Sequence, residues 1–227
     1  MANTPLQQQT QQMMIQSLKA GKNPEQQKVI DFFFGQAQNG CGCLGGGNSM
    51  SMNEYINLVQ QKVNKLDTRR QAIEKIGLDE SEISEIAPIS LASFVFDDDV
   101  HVKVENGVAV SSQYALTWIF FSATQIYTYK YIFDTTSDNT WEFTNDFFYT
   151  DVTCLSTCRK VKEKIDAHMG KGCLSGGIQY VHNNYVVDIF EIIVPNTSYS
   201  FSMRNGEAYE SSIQAAKAML REKKFNK

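Results

Sequence analysis

Residues 113–133 read QYALTWIFFSATQIYTYKYIF and give the clearest structural signal in this chain. The first half is apolar and aromatic, and the second half alternates tyrosine with polar or aliphatic residues. Runs of this length and composition, with a period of two, are typical of β-strands. We therefore predict two consecutive strands, Gln113–Ser122 and Gln125–Phe133.

Further strand patterns lie on both sides of this pair. The best hairpin in the chain turns at Asn106-Gly107, because both turn positions must adopt a positive φ. Glu207–Lys223 closes the chain as an amphipathic helix, with Tyr209, Ile213, Ala216 and Leu220 on one stripe. The remaining predicted strands are Ile89–Phe96, Trp141–Asp151, Tyr185–Val194 and Tyr199–Met203.

Strands first and one helix last, without alternation of strand and helix, predict an α+β fold. We expect a compact antiparallel β domain that is capped by the C-terminal helix. Within this region Cys154–Met169 is interpreted as a basic helix, because Val161, Ile165 and Met169 recur at a spacing of four. His182-Asn183-Asn184 is predicted to be a turn.

The composition divides the chain into three parts. Residues 1–48 are predicted to be a helical, Gln-rich extension that ends in a Gly-rich linker, with a helix start at Asn23-Pro24-Glu25-Gln26. Residues 49–87 are predicted to be an amphipathic helical segment, with a capping box at Ser51-x-x-Glu54 and a helix end at Gly77. Residues 88–227 are predicted to be the β domain with its final helix.

Several segments of this β domain resemble bacterial pleckstrin-homology-like (PH-like) domains. They are Tyr114–Ser122, Gln125–Lys130, Phe147-Phe-Tyr-Thr-Asp-Val-Thr153, Ile189–Pro195, Tyr199–Met203 and Ala208–Lys223. The resemblance covers roughly residues 89–227, and the stretch 154–178 and the N-terminal extension depart from it. It implies a bent, partly open barrel closed by the last helix, and it implies binding or scaffolding rather than catalysis.

Bulk properties limit the classes of function. The net charge is −4 and the pI is about 5.4, whereas nucleic-acid binders usually carry a basic footprint. The N-terminus lacks the layout of a secretory signal, and no apolar run reaches the length of about 20 residues that spans a bilayer. Five cysteines, an odd number, suit a reducing compartment. We expect a soluble cytoplasmic protein that has no transmembrane segment. We also expect that it does not bind nucleic acid.

The sharpest candidate for chemistry is a cysteine and histidine group. Three thiolates and an imidazole satisfy tetrahedral zinc, and Cys154, Cys158, His168 and Cys173 supply them. Their spacing is not that of a standard zinc knuckle, so the alternative is a small buried cysteine with the others on loops. This group is kept as a candidate metal or redox site.

Two further sets are candidate binding residues. Arg159, Lys160, Lys162 and Lys164 form a basic cluster that could meet an anionic partner, including a peripheral membrane surface, or could be a solvated helix face. Tyr127, Tyr129 and Tyr131 could line a groove or interface, or could be one packed face of a sheet.

No catalytic motif is present: the sequence lacks a nucleophile elbow, an HExxH helix, a Walker loop and a GxGxxG element. We therefore predict a non-enzymatic binding or scaffold module that needs no cofactor and that has a protein partner or self-associates. The alternatives are a metal-binding or redox-responsive domain that uses the cysteine group, and an enzyme whose site has no recognisable motif.

Overall fold

Among the residues that the structure describes, antiparallel strands form the centre of the chain, with four α-helices before them and one after them. The computed structural model describes residues 5–34, 50–83, 85–169 and 178–225, with side chains described over 12–34, 50–83, 85–165 and 181–225. Its helices are α1 (Pro5–Lys19), α2 (Pro24–Phe34), α3 (Met52–Val63), α4 (Thr68–Ile76) and α5 (Glu210–Phe225). Its strands are β1 (Ile89–Phe94), β2 (Val102–Glu105), β3 (Val108–Ser111), β4 (Gln113–Phe121), β5 (Gln125–Asp134), β6 (Thr140–Phe148), β7 (Cys154–Met169), β8 (Ile178–Val194) and β9 (Thr197–Met203).

The strands form two larger antiparallel sheets and a separate hairpin. The first sheet has the order β1-β4-β5-β6, the second has the order β7-β8-β9, and β2 pairs with β3. If the hairpin is set aside, both sheets are meanders in which each strand pairs with the next one along the chain. The described strands close no barrel. The predicted α+β architecture, with antiparallel sheets and a final helix, is confirmed at this level.

The main core joins the two larger sheets to α5. β4 contributes Ile119 and Phe121, and β8 contributes Phe190 and Ile192. The helix adds the buried stripe Ile213, Ala216, Met219 and Leu220, whose spacing of three and four places them on one face. Burial of a large apolar side chain contributes about 2 kcal/mol, so this stripe is what holds α5 against the sheets.

Helices cover the opposite face of the first sheet. Side chains alternate along a strand, so Tyr114 and Trp118 of β4 point away from the main core. α2 and α3 pack at the Tyr114 end, and α4 packs at the Trp118 end. The Trp118 indole Nε1 donates a 3.0 Å hydrogen bond to Thr68 Oγ1 at the start of α4.

Tyr55 of α3 anchors the N-terminal helices to the strands. Its hydroxyl donates to the Ser111 carbonyl at 2.6 Å and lies 2.9 Å from Thr135 Oγ1. Phe32 of α2 stacks on the Tyr55 ring at 4.7 Å, and the Lys103 ammonium lies 4.1 Å from the centre of the Phe32 ring. The apolar residues of α2 are therefore covered within this chain and need no partner molecule to cover them.

Local signals at turns and helix ends are confirmed. Ser51 and Glu54 form the reciprocal capping box, and Gly77 ends α4 with a φ of 78°. Asn106 and Gly107 form the predicted hairpin turn, with φ values of 52° and 77°. These positions depend on backbone geometry that only a few residue types adopt easily, which is why they are readable from the sequence.

Three predictions about secondary structure are wrong. Residues 154–169 form the strand β7 rather than a helix, because all sixteen pair with β8. The predicted turn at 182–184 is absent, because β8 runs through it without interruption. The helix predicted over 51–77 is two helices, α3 and α4, and Asp67 caps the second one through the Arg70 amide.

Phe190 and Val181 lie on the same strand but differ in burial, which allows a matched test of the core. Phe190→Ala is expected to lower the free energy of unfolding by about 3–5 kcal/mol, because the ring fills the space between the sheets. Val181→Ala, at an exposed position outside the outer face of the sheet, is expected to change it by less than about 0.5 kcal/mol. Urea unfolding followed by circular dichroism measures both, and equal losses would contradict the assignment of the core.

Candidate binding surface

The second sheet extends well beyond its third strand. β9 pairs with β8 only over Asp188–Val194, whereas β7 pairs with β8 as far as Met169 and Ile178. Residues 160–169 and 178–187 therefore form a two-stranded arm. At about 3.3 Å per residue, ten residues of strand make this arm about 33 Å long.

The two faces of the arm have different environments. On one face, here called the inner face, Tyr185 and Val187 are buried in the cluster that includes Phe96. The rings of Tyr185 and Phe96 lie 5.1 Å apart. Lys162 donates from the same face to the Phe96 carbonyl, and Lys164 donates to the Val102 carbonyl. These contacts hold the base of the arm against the rest of the protein.

The opposite face, here called the outer face, is exposed and carries three apolar side chains. The register sets Val161 directly opposite Val186, and Ile165 opposite His182. Val161 is 70% exposed, and Ile165 and Val186 are each 54% exposed. Three β-branched apolar side chains on the exposed face of a held arm are a candidate docking surface.

Asp188 marks the point where the arm leaves the core. Its carboxylate accepts two hydrogen bonds from Arg159, at 2.7 and 3.3 Å, and one of 3.0 Å from the Gly206 amide. A β-carbon on Gly206 would lie 3.2 Å from the Asp188 carboxylate carbon, so a larger residue here would require the Asp188 side chain to shift. The pKa of Asp188 lies below its ordinary value, chiefly because the Arg159 guanidinium bonds the carboxylate. The hydrogen bond from the Gly206 amide lowers this pKa further.

A cleft of about 670 Å³ opens at this point, between the base of the arm and the start of α5. It is lined by Thr157, Cys158, Arg159, Asp188, Met203, Gly206, Glu207 and Glu210. The single cation of this set, Arg159, is already paired with Asp188. The cleft is therefore acidic overall, and it adjoins the apolar outer face of the arm.

The predicted basic cluster does not lie on one helix face. Alternation along β7 separates Arg159 from Lys160, Lys162 and Lys164, so the three lysines share the inner face. Arg159 pairs with Asp188, and Lys160 lies 3.9 Å from Glu191. Lys162 and Lys164 bond backbone carbonyls. Each predicted cation thus has a partner inside the protein, and a role in anion binding stays a prediction.

The predicted tyrosine stripe lies under α4. Tyr129 is fully buried with Ala72 and Phe120, and Tyr127 and Tyr131 flank it. Burial, followed by the nearby Glu142 carboxylate, raises the pKa of Tyr129 to about 12. The stripe thus takes part in packing of helix on sheet, and binding of a partner by these tyrosines stays a prediction.

The predicted metal group is only partly described. Cys154 is exposed and Cys158 is half-buried, and both are free thiols. They lie four residues apart on β7, which separates their Cα atoms by about 13 Å. Two thiolates on one zinc, each about 2.3 Å from it, lie no more than about 4.6 Å apart. Cys154 and Cys158 therefore cannot share one zinc on this strand.

The other two predicted ligands give no test of the metal site, because Cys173 and the side chain of His168 lie outside the described residues. Over the described part of the chain, no group of three or more histidine, cysteine, aspartate or glutamate side chains could hold a metal ion. A role for the cysteines in metal binding or redox response stays a prediction.

The outer face of the arm and the contact of Asp188 with Gly206 are not predicted from the sequence. One signal could have revealed the arm: in Arg-Lys-Val-Lys-Glu-Lys-Ile, residues 159–165, lysine recurs at every second position. That period of two is typical of a strand. The contact between Asp188 and Gly206 joins residues 18 positions apart, and no local pattern predicts it.

Comparison of the chain with protein-family models, with curated proteins and with solved structures finds no match. None of the helices described here is long and apolar enough to cross a membrane. Function is therefore inferred from the geometry of the chain itself.

Asp188→Asn tests the joint at the base of the arm, which is the contact of Asp188 with Arg159 and Gly206. A carboxylate with a lowered pKa stabilises the fold above its unfolded pKa of about 3.9, and this contribution is lost as the pH falls through the folded pKa. Because Arg159 is largely exposed, we expect Asp188→Asn to lower the free energy of unfolding by only about 1 kcal/mol near neutral pH.

The difference in free energy of unfolding between Asp188→Asn and the unaltered protein should shrink as the pH falls below the ordinary range of aspartate pKa values. Urea unfolding over a pH series measures it, with Glu74→Gln on the exposed surface of α4 as the matched control. A difference that is independent of pH would contradict the ionic role of Asp188.

Proposed function

We propose that this protein is a non-enzymatic protein-binding module with a PH-like fold. The proposal is supported by the order of the elements: a four-stranded meander, a three-stranded meander and a final helix that packs into the core between them. The resemblance of residues 89–227 likewise implies strands that are followed by one closing helix. The β2–β3 hairpin and the arm are then additions to that fold.

The observation that carries the binding role is the exposed outer face of the arm. Val161, Ile165 and Val186 keep most or half of their surface in water, although the inner face holds the arm in place. An added strand that sets apolar side chains beside them covers part of this surface and gains a fraction of the roughly 1–2 kcal/mol that full burial of each side chain contributes, with little further ordering of the base of the arm. The base of this arm is therefore preorganised for docking.

The mode of binding we propose is strand addition to β7. Within the described residues β7 has a strand partner on one side only, so its other edge presents amide and carbonyl groups that are not used in a sheet. An added strand gains main-chain hydrogen bonds along this edge, and its alternate side chains extend the outer face. The partner is thus an extended protein segment that carries apolar residues on the side that continues the outer face.

A protein partner fits the charges better than an anionic one. The net charge is −4, and the cations of β7 already have internal partners, so we do not propose nucleic acid or an anionic membrane surface as the partner. The two described cysteines are free thiols, and we propose the cytoplasm, a reducing compartment, as the location.

Photo-crosslinking tests the docking surface in the full chain. Benzoylphenylalanine placed at position 161 is expected to form a covalent adduct with a bound protein inside cells, and an added Ile165→Glu change should reduce the yield at least tenfold. Position 108, an exposed valine at the β2–β3 turn, is the control for general surface reactivity. Adducts of equal yield at 161 and 108, or none at 161, would contradict the proposal.

A further inference from the structure

The sequence of β7 has a symmetry that bears on its partner. On the outer face Arg159 lies two residues before Val161, and Glu163 lies two residues after it. When two identical strands pair antiparallel about a two-fold axis, residues at equal distances from the axis lie opposite each other. An axis at Val161 therefore sets Arg159 of each copy opposite Glu163 of the partner subunit. Two such pairs form, one on each side of the axis.

We infer that the strand added to β7 is β7 of a second copy of this chain, paired antiparallel with Val161 at the two-fold axis. This inference rests on the proposed binding role of the arm and names its partner. The product is one continuous sheet with the order β8-β7-β7-β8, in which neither β7 edge is left open.

The apolar residues favour this arrangement. Val161 faces Val186 within one arm, and both are exposed on the outer face. Pairing at Val161 joins these two pairs into one patch of four valines at the centre of the new sheet. An isologous contact of this kind closes on itself, because each copy uses the same surface.

The side chains at the proposed ion pairs retain hydrogen-bonding capacity. Arg159 bonds Asp188 through Nε and Nη2, so Nη1 can donate elsewhere. Glu163 accepts from His182 Nδ1 through Oε1 at 2.7 Å, so its second oxygen can accept from Arg159. The side chains of Arg159 and Glu163 are 60% and 48% exposed, which leaves both within reach of a second copy.

The inner face is compatible with this register. It places Lys160 opposite Lys162 of the partner subunit, but Lys160 is drawn to Glu191 and Lys162 to the Phe96 carbonyl of its own chain. The neighbouring registers are worse. An axis at Lys162 sets Lys162 opposite itself and Lys160 opposite Lys164, and an axis at Glu163 sets Glu163 opposite itself.

Sedimentation velocity of the full chain over a concentration series tests the inference. The unaltered protein is expected to be a dimer, and Val161→Glu is expected to raise the dimer dissociation constant at least tenfold, because two carboxylates then meet at the axis. Val108→Glu, at an exposed site on the β2–β3 hairpin, should leave the dimer intact. Urea unfolding of each variant checks that it is folded.

A cysteine at position 161 tests the register. Directly opposed residues of an antiparallel pair have Cα atoms about 4.5–5.5 Å apart, within the range for a disulfide. Val161→Cys should therefore yield, on mild oxidation, a peptide linked from 161 to 161 in the mass spectrum, whereas Val108→Cys should yield no such symmetric link.

The outcomes separate this inference from the proposed function. A monomer at all concentrations, a dimer that Val161→Glu leaves unchanged, or the absence of the 161–161 link would overturn the pairing of two copies. If a photo-crosslink at position 161 then captures another protein, the binding role of the arm stands and only the identity of the partner is wrong. If position 161 captures nothing, both fail.

Discussion

The closure of one core between two sheets is the constraint on which this structure depends. Neither sheet can bury its apolar face alone, and α5 fills the remaining side of the core with Ile213, Ala216 and Leu220. Phe190 and Ile192 fix β8 in that core, and the same strand continues outward as half of the arm. The arm thus takes its position from the core, with Asp188 at the joint.

The unequal use of the two faces of the arm connects the fold with the proposed function. The inner face is occupied by Tyr185, Val187 and the ammonium groups of two lysines, which bond backbone carbonyls of the main body. The outer face has no such cover among the described residues. A long edge strand is normally a hazard, and lysines often protect it. Here the lysines are turned inward, which leaves the edge of β7 accessible for pairing.

The sequence predicts much of the fold because many of its signals are local. The capping box at Ser51, the helix end at Gly77 and the turn at Asn106-Gly107 each depend on a few adjacent residues. β7 was mistaken for a helix because Val161 and Ile165, four residues apart, share a face in either structure. Its partner strand decides between the two, and no local pattern contains that information. The joint of Arg159, Asp188 and Gly206 was missed for the same reason.

Hydrogen exchange along β7 tests most directly the claim that this edge pairs with another strand. Amides of residues 155–165 should exchange more slowly in concentrated than in dilute protein, because pairing occupies the open edge. A peptide from β4, which is paired on both sides, serves as the internal reference and should exchange at the same rate in both samples. Equal exchange of the β7 amides at both concentrations would contradict pairing of this edge with a second copy.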